Sequence, residues 1–234
     1  MNINKLTISI LVLLFWSNLK VYSQGFIEIT DGNGSEKFTF YEVALSQKNK
    51  KIDGTPYYSD NWTIGEVIII KDKRVQSFKE KNLKYNICSE TVTFLRNNKE
   101  YYVPNYNNVQ SFTLADKKFV TLYNPSTKNT AFFELLFDND EIQLLKKHEC
   151  SIVVGKMSNG ILPETNDKYR ISTSHYIKKV NEHVKKVKLN KDLIANLFSN
   201  KIIEVNTFLK ENKLNIRKEN DVILIFKFYE SLKN

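Results

Sequence analysis

Three histidines, His148, His175 and His183, are the side chains of this chain best suited to metal ligation or proton transfer. Potential co-ligands stand beside them: Glu149 and Cys150 follow His148, and Glu182 precedes His183. The spacing argues against zinc. His175 and His183 are eight residues apart, which fits neither a helical i, i+4 pair nor a close strand pair. In His148-Glu149-Cys150, neighbours on a strand would point to opposite faces. The histidines therefore read as solvated or hydrogen-bonded groups, and no metal site or cofactor is expected. Ser172 and Ser174 beside His175 suggest a nucleophile–base pair, but no G-x-S-x-G elbow surrounds them. Asp138 and Asp140 lack the rest of a calcium-loop ligand series and read as turn residues. There is no glycine-rich phosphate loop. No catalytic residue is expected, and the chain reads as non-enzymatic.

Two cysteines remain, Cys88 and Cys150, an even count compatible with one disulfide. Neither belongs to a C-x-x-C pair, which disfavours redox or zinc-ribbon roles. Tyr57, Tyr58 and Trp62 fall in a turn-rich stretch, where aromatics can stack on sugars or anchor a protein partner. Sheet packing is the competing reading. Lys178, Lys179, Lys185, Lys186 and Lys188, with Lys191 just beyond, form the strongest charge cluster. They are candidates to meet an anionic surface, or simply a solvated face.

The beginning of the chain sets the compartment. Met1 to Lys5 carries one positive side chain, and Leu6 to Trp16 is apolar except for Thr7 and Ser9. The run is too short for a bilayer span of about 20 residues. Val21 and Ser23 supply the small residues that signal cleavage needs. Residues 1–23 are thus expected to be a cleaved signal peptide, making the protein periplasmic or extracellular. No integral membrane span is expected in the mature chain. The net charge is +9, from 35 Lys and Arg against 26 Asp and Glu, and loss of Lys5 and Lys20 lowers it to +7. For an exported protein this favours anionic polymers or headgroups over nucleic acid.

Short runs that alternate or are β-branched follow, separated by polar turns. Lys37–Leu45, Gly65–Lys71, Arg74–Phe78, Leu83–Ile87 with Thr91–Leu95, Glu100–Val103, Val109–Leu114 with Lys118–Tyr123, and Ala131–Phe137 with Glu141–Leu145 read as strands and hairpins. Glu149–Lys156 and Tyr169–Tyr176 read as further strands, with Met157–Asp167 a loop. No link is long and helical enough for a parallel crossover. Residues 177–189 fit either a helix or a hairpin turning at Asn181-Glu182, and the hairpin is preferred because a strand runs straight into them. After Asn190 the period becomes helical, with three apolar stripes: Leu193 to Phe198, Ile202 to Leu209, and Val222 to Leu232. Asn190, then Ser199 or Asn200, are the expected caps of the first two helices. The third starts near Lys218. The expectation is an α+β protein, mainly β. An antiparallel meander, sandwich or open barrel over residues 24–189 carries a three-helix tail over 190–234, packed on the sheet or on itself.

Gly54-Thr55-Pro56-Tyr57-Tyr58, then Trp62-x-x-Gly65, a strand, and Leu83-Lys84-Tyr85-Asn86-Ile87 together resemble a group of exported bacterial proteins of unknown function. In that group G-[ST]-P-Y-L and RYN-I segments frame the first β-hairpins. Lys84 stands where the group tends to have Arg. The tail, Phe208 to Leu214 with Asp221 and Phe228 to Leu232, is similar to that group as well. The resemblance implies a Gram-negative envelope context and a β-rich fold, and it carries no catalytic residues.

These readings converge on a cell-envelope protein that binds another protein or an anionic surface polymer. A small-ligand or glycan-binding β module is the alternative, and a hydrolase with an unrecognised site the third. The sequence leaves the partner's identity and the oligomeric state open.

Overall fold

The computed structural model of the protein describes residues 25–30, 37–43, 52–71, 73–103, 109–158, 160 and 163–233. The expected signal peptide, residues 1–23, lies outside the described residues.

Most of the chain forms one sheet of 13 mostly antiparallel strands. They are β1 (Phe26–Thr30), β2 (Lys37–Glu42), β3 (Ile52–Asp53), β4 (Thr63–Lys71), β5 (Arg74–Asn86), β6 (Thr91–Arg96), β7 (Lys99–Tyr102), β8 (Val109–Leu114), β9 (Lys117–Asn124), β10 (Asn129–Asp138), β11 (Ile142–Val153), β12 (Asp167–Lys179) and β13 (Lys185–Val187). Their order across the sheet is β1-β2-β7-β6-β5-β4-β8-β9-β10-β11-β12-β13, with β3 beside β12. The chain meanders from β4 to β7, returns to the other side of β4 at β8, and meanders again to β13. Local chemistry sets the turns. Asn97 and Asn98 both take left-handed φ, 52° and 58°, as a two-residue hairpin loop with the twist of its strands requires.

Two strands are longer than the sequence pattern suggests. Arg74–Phe78 and Leu83–Ile87 belong to one 13-residue strand, β5. The polar stretch between them stays extended because Glu80 pairs with Gly65 on β4. Likewise Glu141–Leu145 and Glu149–Lys156 merge into the 12-residue β11. Residues 177–189 form the hairpin, β12 turning through Asn181 (φ 61°) into β13.

The sheet curls, because side chains from distant strands meet on its inner face. Phe40 of β2 packs against Phe78 and Phe94. Tyr85 of β5 packs against Phe112, Phe119 and Phe132, the last on β10, four places away in the sheet. Each such buried aromatic contributes roughly 1.5–3 kcal/mol relative to exposure. A strap made of residues 52–62 secures the curl. Ile52 and Asp53 pair in parallel with Asp167 and Lys168 of β12. A few residues on, the Ile87 amide donates to the Pro56 carbonyl, and the Tyr58 amide donates to the Tyr85 carbonyl. Cys88, just after β5, is disulfide-bonded to Cys150 of β11, with Cα atoms 4.9 Å apart. Lys147 and Glu90 pair at 3.0 Å in the same region.

Three helices follow: α1 (Lys191–Leu197), α2 (Ile202–Glu211) and α3 (Glu219–Ser231). Asn190 caps α1 through its side-chain oxygen, which accepts from the Leu193 amide at 2.9 Å. Neither Ser199 nor Asn200 caps α2, since both lie in a 3-10 turn over Ser199–Lys201 that leads directly into it. Ile194, Phe198, Val205, Val222, Ile225, Phe226 and Tyr229 bury the helical stripes against Phe137, Ile142, Leu144 and Ile177 of the sheet. The helices also pack on one another, as in the parallel rings of Phe208 and Phe228, 4.0 Å apart.

Candidate functional site

The strap brings Gly54 to Tyr58, Trp62 to Gly65 and Leu83 to Ile87 together in space. Tyr57 forms a bridge opposite Asn86. Lys84 extends from β5 so that its ammonium lies 5.0 Å from the Tyr57 ring centre and 4.6 Å from that of Trp62. Gly65 is buried where β8 approaches closely, and an added Cβ would press into the Thr113 carbonyl. Tyr58 turns inward, edge-on to Phe119 and to His148. Burial, then the Glu134 carboxylate, raises its hydroxyl pKa. Of the three aromatics, Tyr58 serves the core, while Tyr57 and Trp62 offer ring faces already engaged by Lys84.

The lysine cluster lies elsewhere, on the β12–β13 hairpin at one end of the sheet order. Register divides it. Lys185 lies opposite Ile177 and Lys186 opposite Tyr176. Lys179 and Lys185 line a small pocket against α1 that also includes Glu182. Lys186 and Lys188 line a second shallow pocket of about 350 Å³ with Ser174, His175 and Arg217. Lys178 pairs in register with Gln143 inside the sheet and is partly buried. Lys179, Lys185, Lys186 and Lys188 are exposed. None of the five makes a salt bridge among the described residues.

The histidines are not assembled as a metal centre. Cys150 is consumed by the disulfide. Among the described residues no three His, Cys, Asp or Glu side chains converge on a metal position. His183 is exposed, with its ring edge-on to Tyr123. Ser174 donates to Glu149 at 3.4 Å rather than to His175. Asp138 accepts from Gln143 at 2.9 Å, and Asn139 takes the Glu141 and Ile142 amides, so this segment builds its turn.

His148 and His175 instead end a five-membered polar ladder that sequence reasoning did not assemble. His148 Nε2 lies 2.7 Å from Glu134 Oε2. The same Glu134 oxygen is 3.1 Å from Lys146 Nζ. Lys146 reaches Glu219 Oε1 at 2.8 Å, and Glu219 Oε2 lies 2.7 Å from His175 Nε2. Alternation puts Lys146 and His148 on one face of β11, register sets His175 directly across from Lys146, and α3 lowers Glu219 onto both. Glu219 stands in the first turn of α3, where the helix dipole favours a negative charge.

The electrostatics follow from this alternation of sign. The His175 hydrogen bond, outweighing partial burial and aided by Lys146, lowers the Glu219 carboxyl to about 2. Burial alone would raise Glu134, but His148 and Lys146 hold it below the ordinary range. Burial would lower Lys146, and its two carboxylates hold it above. Glu134 is only 2% exposed and His148 9%. A substrate has no access to that end, so the ladder works as a polar tie between the sheet and α3. One signal was visible: Glu134 is the lone charge in the apolar run Ala131 to Phe137.

No helix among the described residues is long and apolar enough to cross a membrane. Comparison with protein-family models, with curated proteins and with solved structures finds no match to this chain.

Proposed function

We propose that the chain is an exported, non-enzymatic protein of the cell envelope, periplasmic or extracellular. It binds an anionic partner, another protein or a surface polymer, through the β12–β13 hairpin. The supporting observation is the row of exposed Lys179, Lys185, Lys186 and Lys188, none of them in a salt bridge among the described residues, with Arg217 beside the last two. Ammonium groups held in no salt bridge, outnumbering the nearby Glu182, set up a positive field that steers and holds an anionic surface, and salt screens it. The same lysines guard an edge strand against strand addition, a role that needs no partner.

Binding to purified envelope fractions separates these roles. Native protein binds at low salt and is released as ionic strength rises. The triple variant Lys185→Glu, Lys186→Glu, Lys188→Glu loses binding while keeping its melting temperature within a few degrees. Failure of native protein to bind at low salt, or equal binding by the folded variant, refutes the proposal and leaves edge protection as the role of these lysines.

A further inference from the structure

A groove of about 910 Å³ opens between α1, α2 and the loop that joins α2 to α3. It lies outside both the polar ladder and the strap. Ile194, Ile202, Leu209, Leu214 and Ile216 line it. Ile194 is buried, and the other four are only half-covered by the helical core. The groove is preformed. The Leu214 amide donates to the Leu209 carbonyl, and the Asn215 amide to Asp221 Oδ2 at 2.8 Å, which fixes the loop against both helices. Volume and apolar lining match the range of small-molecule sites, roughly 300–1,000 Å³.

The rim carries Lys191, Lys210 and Arg217, none in a salt bridge among the described residues. Its single carboxylate, Asp192, accepts from Asn190 at 3.4 Å. Three cations against one carboxylate, around an apolar trough, complement a ligand with an anionic head and one hydrocarbon chain.

We propose that this groove binds a long-chain carboxylate as a monomer, the chain along Ile202, Leu209 and Ile216 and the carboxylate among Lys191, Lys210 and Arg217. The proposal is independent of the hairpin reading, with which it shares only Arg217.

Calorimetric titration of the exported chain with dodecanoate, kept below its micelle concentration, tests it. Saturable 1:1 binding is expected. Decanoate, two methylenes shorter, should bind about 15-fold more weakly, from roughly fourfold per buried methylene. Ala195→Trp, which fills the groove from α1, should weaken dodecanoate at least tenfold. Asn206→Trp does the same from α2 and serves if the first variant does not fold. Arg217→Glu should weaken dodecanoate but not dodecyltrimethylammonium, which shares the chain and reverses the head. The proposal is overturned by no saturable dodecanoate binding, or by unchanged binding in a folded groove-filling variant. Equal native affinity for the cationic amphiphile, or binding only to vesicles of anionic phospholipid, overturns it too.

Discussion

Lys146 and Glu219 meet at 2.8 Å although 73 residues separate them in sequence. Through this contact β11 grips the first turn of α3, and the pairs His148–Glu134 and His175–Glu219 extend the grip on either side.

Acid should loosen that grip. The Glu219 carboxyl is depressed in the folded chain from an ordinary 4.5 to about 2, and Glu134 is depressed as well. A depressed carboxyl stabilises the fold fully above its unfolded value, and that stability is lost as pH falls through the folded value. The window therefore runs from about 4.5 down to about 2. Lys146 is raised, so its share is complete below its ordinary 10.5 and is lost as pH climbs beyond it. Glu219→Gln should cost on the order of 2 kcal/mol at neutral pH, shrinking toward zero at the acid end of the window. Urea titrations of both proteins across the pH range measure the difference. A gap that stays constant with pH contradicts this account.

The Cys88–Cys150 bridge closes a loop with a sequence separation of 62 residues. Chain entropy assigns such a crosslink about 4 kcal/mol. Replacing both cysteines with serine, or reducing the native chain, should lower denaturant stability by that amount in either case. Agreement between the two treatments is the check, since strain introduced by serine would separate them.

Tyr85 is 1% exposed, and its hydroxyl has no hydrogen-bond partner among the described residues. Burial, with the Glu90 carboxylate, raises its pKa. Tyr85→Phe removes an unpaired polar atom and keeps the ring contacts with Phe112, Phe119 and Phe132. It should leave stability equal or raise it by up to about 1 kcal/mol. A clear loss on thermal unfolding would mean that the hydroxyl is satisfied.

Gly65 packs against β8, and a Cβ added to it would run into the Thr113 carbonyl and press on Leu83. Backbone cannot move aside as a flexible side chain can. Gly65→Ala should therefore cost about 2 kcal/mol or more. The neighbouring exposed position offers a control, since Ile64→Ala should shift the melting temperature much less.

Hairpins and helices were legible because their signals are local. Asn97-Asn98, Asp138 to Asp140 and Asn181-Glu182 announce turns, and Asn190 with Ile194 and Phe198 announces a helix. The continuity of β5 and β11 was hidden, because Lys79 to Asn82 and Lys146 to His148 look like polar breaks. What keeps these segments extended is pairing with another strand, which a local pattern does not show: Gly65 lies across from Glu80, and β12 lies across from the whole of β11. The polar ladder was missed for the same reason. Residue types showed the histidines, but only the register of β10, β11 and β12 supplies their partners. The lysine cluster was visible as composition, whereas its division between two pockets is a product of alternation along β13.

The strap also has a consequence in time. Ile52 pairs with Asp167, over a hundred residues later in the chain. A polypeptide that emerges from its N-terminus holds Ile52 and Asp53 long before β12 exists to receive them. The meander from β4 to β7 can form early from neighbouring contacts, but the curl cannot lock until the final third of the chain arrives. Until then Ile52 and Asp53 have no strand to pair with, although Tyr58 already has Tyr85, Phe119 and His148 within reach. The strap is completed by one of the last strands, so any delay or truncation before residue 167 leaves Ile52 and Asp53 without their partner.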